Sequence, residues 1–283
     1  MKLTLAFSPC PNDTFIFDAL VNGKIDTQGL SFEVLMTDVE ELNQLAFENK
    51  IDVTKISYHA YAYLTNKYAL CHAGSALGNN VGPLLICRND VHLQDLKSRL
   101  NDLSSDVSIA IPGKYTTANF LLSLAFPNAR NKKELLFSAI EDAVINKEVD
   151  AGLIIHENRF TYAERGLQKI IDCGEFWQTN FNAPIPLGGI VVKRNLPKEV
   201  QEKVSELIAE SIRYAFKQPE SSKDFVRAHA QEMSESVIQQ HINLYVNNYS
   251  IDLGEDGRSA ITTLFETAKS KGIISDFETD LFV

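Results

Sequence analysis

The feature that most constrains this chain is a repeated alternation. Short apolar-rich runs of strand length are followed by segments whose apolar residues recur at helical spacing, the pattern of an α/β fold with mainly parallel strands. LTLAF (3–7), SFEVLM (31–36), IDVTKIS (51–57), GPLLICR (82–88), VSIAIPG (107–113), ELLFS (134–138), DAGLII (150–155) and PLGGIVVKR (186–194) read as strands. Between them, Asn12 and Asp13 offer caps for a helix over 15–21 that Gly23 can close. A second helix starts at Asp38 with Val39, Leu42, Leu45 and Ala46 on its apolar side, and ANFLLSLAF (118–126) and AIEDAVINKE (139–148) are two more. From Lys198 the chain is mostly helical, with an apolar stripe of Val200, Val204, Leu207, Ile208, Ile212 and Ala215.

Residues 89–106 are polar and charged, as a segment leaving one domain for another often is. GPLLICR and PLGGIVVKR match in length, glycine placement and basic end, and they read as two crossover strands. The expected organisation is a discontinuous outer domain, 1–88 plus 188–283, and a middle domain, 89–187. Two crossings imply a hinge and a cleft. Lys and Arg number 27 against 37 Asp and Glu, a net charge of −10 with no dense basic cluster, which argues against nucleic acid as a partner. No run approaches the ~18 apolar residues of a membrane span, and the amino terminus lacks the core of a secretion signal. Cys10, Cys71, Cys87 and Cys173 show no C-x-x-C spacing, so reduced thiols in a cytoplasmic protein are expected rather than a zinc site or a disulfide framework.

In open α/β sheets ligands collect beyond the carboxyl ends of strands. Four such ends are unusually polar. Ser8-Pro9-Cys10-Pro11-Asn12-Asp13-Thr14 combines stiff prolines with capping residues, and the same residues serve a ligand-free helix start; Cys10 has no obvious histidine partner that would make it a nucleophile. Lys55 and Ser57 project to one face of their strand and can share a ligand, although Asp52 or Glu48 would equally neutralise the lysine. Gly113-Lys114-Tyr115-Thr116-Thr117 precedes a helix whose amino terminus can hold an anion, or Thr116 and Thr117 are plain caps. His156 ends the run AGLII, where an imidazole is held rigidly as a general base or is simply satisfied by a backbone carbonyl. His59 is the reserve candidate, and H-E-N-R-F lacks the second histidine of a zincin site. Glu157 and Arg159 read as structural, Glu157 pointing away if the strand continues one residue further.

Several of these segments resemble one family closely. SPCPNDTFIF, TKISYHAYA, SALGNNVGPLL, PGKYTTANFLLSL, AGLIIHENRFTY, YVNNYSIDLGEDG and the terminal LFV are similar to the 1,4-dihydroxy-6-naphthoate synthases of the futalosine route to menaquinone, and the similarity spans essentially the whole chain. The resemblance implies a two-domain fold like type II periplasmic binding proteins. It implies a carbon–carbon lyase that converts cyclic dehypoxanthine futalosine, a small-molecule carboxylate, into 1,4-dihydroxy-6-naphthoate and dihydroxyacetone, with no metal or redox cofactor. By the same resemblance His156 is the proton acceptor, and Lys55, Ile56, Ser57, Thr116 and Thr117 contact the substrate. Rival readings are a chorismate dehydratase-like sister enzyme, disfavoured by SPCPNDTF and GLIIHE, and a non-catalytic solute-binding protein, disfavoured by the missing secretion signal.

Overall fold

The computed structural model describes residues 1–79, 81–231 and 234–283. The chain forms two compact units, Met1–Gly78 with Pro186–Val283 and, between these segments, Asn79–Ile185. The strands are β1 (Lys2–Phe7), β2 (Ser31–Met36), β3 (Val53–Ser57), β4 (Tyr68–Leu70), β5 (Ala76–Gly78), β6 (Leu84–Arg88), β7 (Ile109–Ile111), β8 (Lys132–Glu134), β9 (Ala151–Ile154), β10 (Leu167–Asp172) and β11 (Ile185–Lys193).

The sheet of the first unit runs β2-β1-β3-β11-β4, with β5 also paired to β11. β1 is parallel to both neighbours because the helices Pro11–Val21 and Val39–Phe47 return the chain to the same end of the sheet. β11 enters without such a crossover and runs antiparallel to β3 and β4. The second sheet, β10-β6-β9-β7-β8, repeats this logic: β9, β7 and β8 are parallel, whereas β6 and β10 run against their neighbours. Both sheets are therefore mixed α/β sheets rather than mainly parallel ones. The run GPLLICR, expected in the outer domain, supplies β6, which pairs on both sides with strands of the second unit. The first crossing consequently follows Gly78 instead of Arg88.

Local chemistry explains most element starts. Cys10 is the cap residue of the first helix and Pro11 its first residue, so that helix begins four residues before the expected Phe15. Asp38 caps the second helix by accepting from the Glu40 amide at 2.8 Å. Beyond Glu134, ELLFS is not a strand: β8 ends at that residue, pairs with β7 alone among the described strands, and carries polar residues as a sheet edge does, while Phe137–Ala139 is a 3₁₀ turn.

Each unit has its own core. In the first, Phe7 and Phe17 stack at 4.4 Å among Leu5, Ile190 and the buried stripe Val204, Leu207, Ile208, Ile212 and Ala215 of the helix Lys198–Lys217. In the second, Ile86, Ala110 and Ile154 of the sheet meet Ile140 and Val144 of the helix Ile140–Ile145. Fully burying one such side chain contributes roughly 1.5 to 3 kcal/mol. Among the described residues no helix is long and apolar enough to cross a membrane.

Candidate active site

Parallel pairing decides which candidate residues meet. β1 and β3 are neighbours in register, Leu5 beside Val53 and Ala6 beside Thr54, so Ser8–Asp13, which follows β1, and Lys55–Ser57, the carboxyl end of β3, lie side by side at one end of the first sheet. β7 and β9 are likewise parallel neighbours, Ile109 beside Ala151, which sets the 113–117 turn next to His156 in the second unit.

The first set is a buried polar network. The Lys55 ammonium donates to Asp13 Oδ1 at 2.9 Å and to the Gly74 carbonyl at 3.0 Å, and Lys55 and Asp13 are 5% and 2% exposed. Asp52 and Glu48, the alternative partners in the sequence, pair elsewhere: Asp52 with Lys193 at 3.1 Å, and Glu48 with Lys50. Ser8 donates its hydroxyl to Asp13 Oδ2 at 2.8 Å, and the Asn12 amide donates to Asp13 Oδ1 at 2.8 Å. The polar turn thus positions a carboxylate that neutralises Lys55, and the bonds to Asp13 and Gly74 use two of its three N–H groups. Gly74 holds the second acceptor at φ +87, and a Cβ there would lie 1.9 Å from Ile190 Cδ1, so the close approach requires glycine.

Two members of this set were not legible in sequence. Fully buried His241 places Nε2 2.8 Å from Asn12 Oδ1; because Asn12 gives its N–H to Asp13, the histidine is the donor there. Fully buried Asn43, beside Leu42 of the apolar stripe, accepts from the Ser57 amide at 2.9 Å and donates to Ser57 Oγ at 3.3 Å. Sequence separations of 229 and 14 residues hide both contacts. Ile56, between Lys55 and Ser57, is buried in β3, and its backbone pairs with Gly189 of β11. Cys10 is a buried cap whose carbonyl accepts from Asp13 and Thr14. His59 is buried and tilts against the Tyr63 ring at 5.6 Å.

In the second set, Thr116 is the cap of the helix Thr117–Ala125. Its hydroxyl donates to the Gly113 carbonyl at 2.8 Å and accepts from the Asn119 amide at 3.2 Å. Thr117 opens the helix and is buried, at the end where the first-turn N–H groups and the positive end of the dipole favour an anion. His156 follows β9 with φ +57, in the left-handed region that few non-glycine residues enter, and its ring stands edge-on to Phe137 at 4.9 Å. Phe137 comes from the segment misread as a strand. The left-handed turn ends the alternation on which the expected direction of Glu157 rested. Arg159 does hold structure: it donates to the Gly82 carbonyl at 2.5 Å and reaches Asp172 at 3.3 Å, and Asp172 in turn caps the helix Cys173–Phe181.

The two mixed sheets flanked by helices have the fold of the periplasmic binding proteins. A ligand-binding component of an ABC-type import system from Staphylococcus aureus shares the fold at a TM-score of 0.71 and 14% identity, covering 100% of this chain and 96% of that one. Within this class the chain belongs to the menaquinone biosynthesis family, whose profile matches residues 3–270. It is 42% identical over 281 residues to the 1,4-dihydroxy-6-naphthoate synthase of Thermus thermophilus, covering 99% of each chain. It is 39% identical to the enzyme of the same name from Streptomyces coelicolor, covering 96% of this chain and 94% of that one.

Proposed function

We propose that this protein is a cytoplasmic 1,4-dihydroxy-6-naphthoate synthase, a carbon–carbon lyase of menaquinone biosynthesis that acts on cyclic dehypoxanthine futalosine. One observation carries this reading: the chain matches two proteins named for that product along nearly their full lengths. The site residues fit the chemistry independently. Fragmenting a polyhydroxylated spiro substrate needs a base to take a proton from a hydroxyl or an acidic carbon, while charge develops on a ketone oxygen that becomes phenolic. His156, fixed by its left-handed turn and by Phe137, is the base; a neutral imidazole accepts the proton and returns it to solvent. Lys55, Ser57, Thr116 and Thr117 hold the substrate's carboxylate and hydroxyls, and Ile56 lines the same strand end. Aromatisation of the new ring drives the reaction, so the protein mainly orients the substrate and removes the proton. Among the described residues the buried Cys10, Cys71, Cys87 and Cys173 form no disulfide, which accords with a reducing compartment.

The test is direct. Purified protein incubated with cyclic dehypoxanthine futalosine should yield the dihydroxynaphthoate by absorbance and mass, with dihydroxyacetone in equal amount. Binding of that compound without turnover would instead mark a solute-binding protein.

A further inference from the structure

Lys132 stands on β8 with its ammonium among neutral groups. It donates to Asn119 Oδ1 at 2.8 Å and to Ser123 Oγ at 2.7 Å, and among the described residues no carboxylate pairs with it. The helix Thr117–Ala125 above it carries no charged side chain, nor does β7 beside it. On its own strand Lys133 faces Glu148 at 3.8 Å, and Glu134 accepts from the Lys114 amide at 2.9 Å. Burial pushes the Lys132 ammonium down to about 8. An unpaired cation in such surroundings is costly, and the hydrogen bonds it makes show what it does there.

Asn119 is the link. With Oδ1 turned to Lys132, its N–H₂ group necessarily points to the Lys114 carbonyl, to which it donates at 2.8 Å, and its backbone N–H donates to Thr116 Oγ1. A flipped amide would set two donors against each other. Lys114 is therefore tied at both ends from one edge strand, at its N–H by Glu134 and at its C=O by Lys132 through Asn119. Residues 132 and 134, two apart, share one face of β8.

We propose that Lys132 is a positioning residue for the synthase reaction: by fixing the Asn119 amide it holds the 113–117 turn in the shape that receives the substrate. This rests on the reading of Thr116 and Thr117 as substrate contacts.

The experiment measures kcat and KM on cyclic dehypoxanthine futalosine, and Kd for 1,4-dihydroxy-6-naphthoate by calorimetry, from about pH 6.5 to 9.5, a range that brackets the lysine's shifted titration. Wild type, Lys132→Met, Lys132→Arg and Thr117→Val are compared. Lys132→Met should raise KM and Kd about tenfold near neutral pH, the effect of losing one charge-assisted bond, and change kcat by less than about twofold. Wild-type binding should weaken as pH rises through the lysine's range. Lys132→Met should lose that limb, and Lys132→Arg, charged throughout, should bind at the alkaline end where wild type fails. Should Lys132→Met fold poorly, Lys132→Arg alone decides through that alkaline behaviour. Wild-type KM, Kd and pH profile in Lys132→Met would overturn the proposal. Weakened binding in Thr117→Val with none in Lys132→Met would sink the positioning role only; unchanged binding in both would sink the substrate-contact reading and this proposal with it.

Discussion

His156 occupies a backbone conformation that disfavours most side chains, with φ at +57, and asparagine is among the few residues that enter it readily. His156→Asn therefore keeps the turn as well as the polarity and approximate size, and removes only the base. Turnover should fall at least about a hundredfold with product affinity retained, and the acid limb of the wild-type rate profile, where imidazolium cannot accept a proton, should disappear. Near-normal turnover with a lowered melting temperature would move the base elsewhere, His59 first. Lys55 makes a different case. Its need for a partner was legible in the sequence; the partner was not, because Asp13 lies 42 residues away and only β1–β3 pairing joins them. Asp13→Asn leaves the buried ammonium uncompensated, so we expect a loss of about 3 to 5 kcal/mol in urea unfolding. A loss below 1 kcal/mol, the scale of an exposed pair, would show that water reaches the site.

At the scale of elements, apolar runs identified most strands, and cap chemistry identified the helix at Asp38 and the turn at Thr116. What failed has physical causes. Strand direction depends on where the chain crosses between units, which no local pattern encodes, and the pattern of β6 fits either sheet equally well. β8 escaped notice because an edge strand of Lys-Lys-Glu has no apolar signature. Yet that strand carries a charge with a measurable thermodynamic effect. Lys132 titrates near 8 in the folded protein against 10.5 for an ordinary lysine. Below both values folded and unfolded chains are equally protonated and the burial penalty is full; between them the unfolded chain binds more protons, so raising pH favours the fold. The stability of wild type relative to Lys132→Met should therefore climb across that interval in denaturant titrations, with other groups cancelling in the difference. A flat difference would mean that the ammonium is well solvated.

At the scale of the whole molecule, two units with separate cores each supply part of the residues proposed for one reaction, Ser8–Asp13 and Lys55–Ser57 from the first and Thr116, Thr117 and His156 from the second. The sequence disclosed a chain that leaves one body and returns to it, since a polar stretch and two similar apolar runs are visible in one dimension. It placed the second crossing within two residues but not the first, which depends on the hydrogen-bond partners of β6. If one ligand engages both sets, its binding free energy opposes local opening in both units. At a hundred times Kd, product stabilises whatever must open to release it by about 2.7 kcal/mol, close to a hundredfold in the population of open states. Amide exchange with saturating 1,4-dihydroxy-6-naphthoate should consequently slow around residues 8–14 and 53–58 and also around 113–120 and 154–158. His156→Asn should show the same two-sided protection, since it removes a base and not a binding contact. Protection confined to one unit in both proteins would mean that the two strand-end clusters do not share a ligand, and the residues of the unprotected unit would then have to be assigned to folding alone.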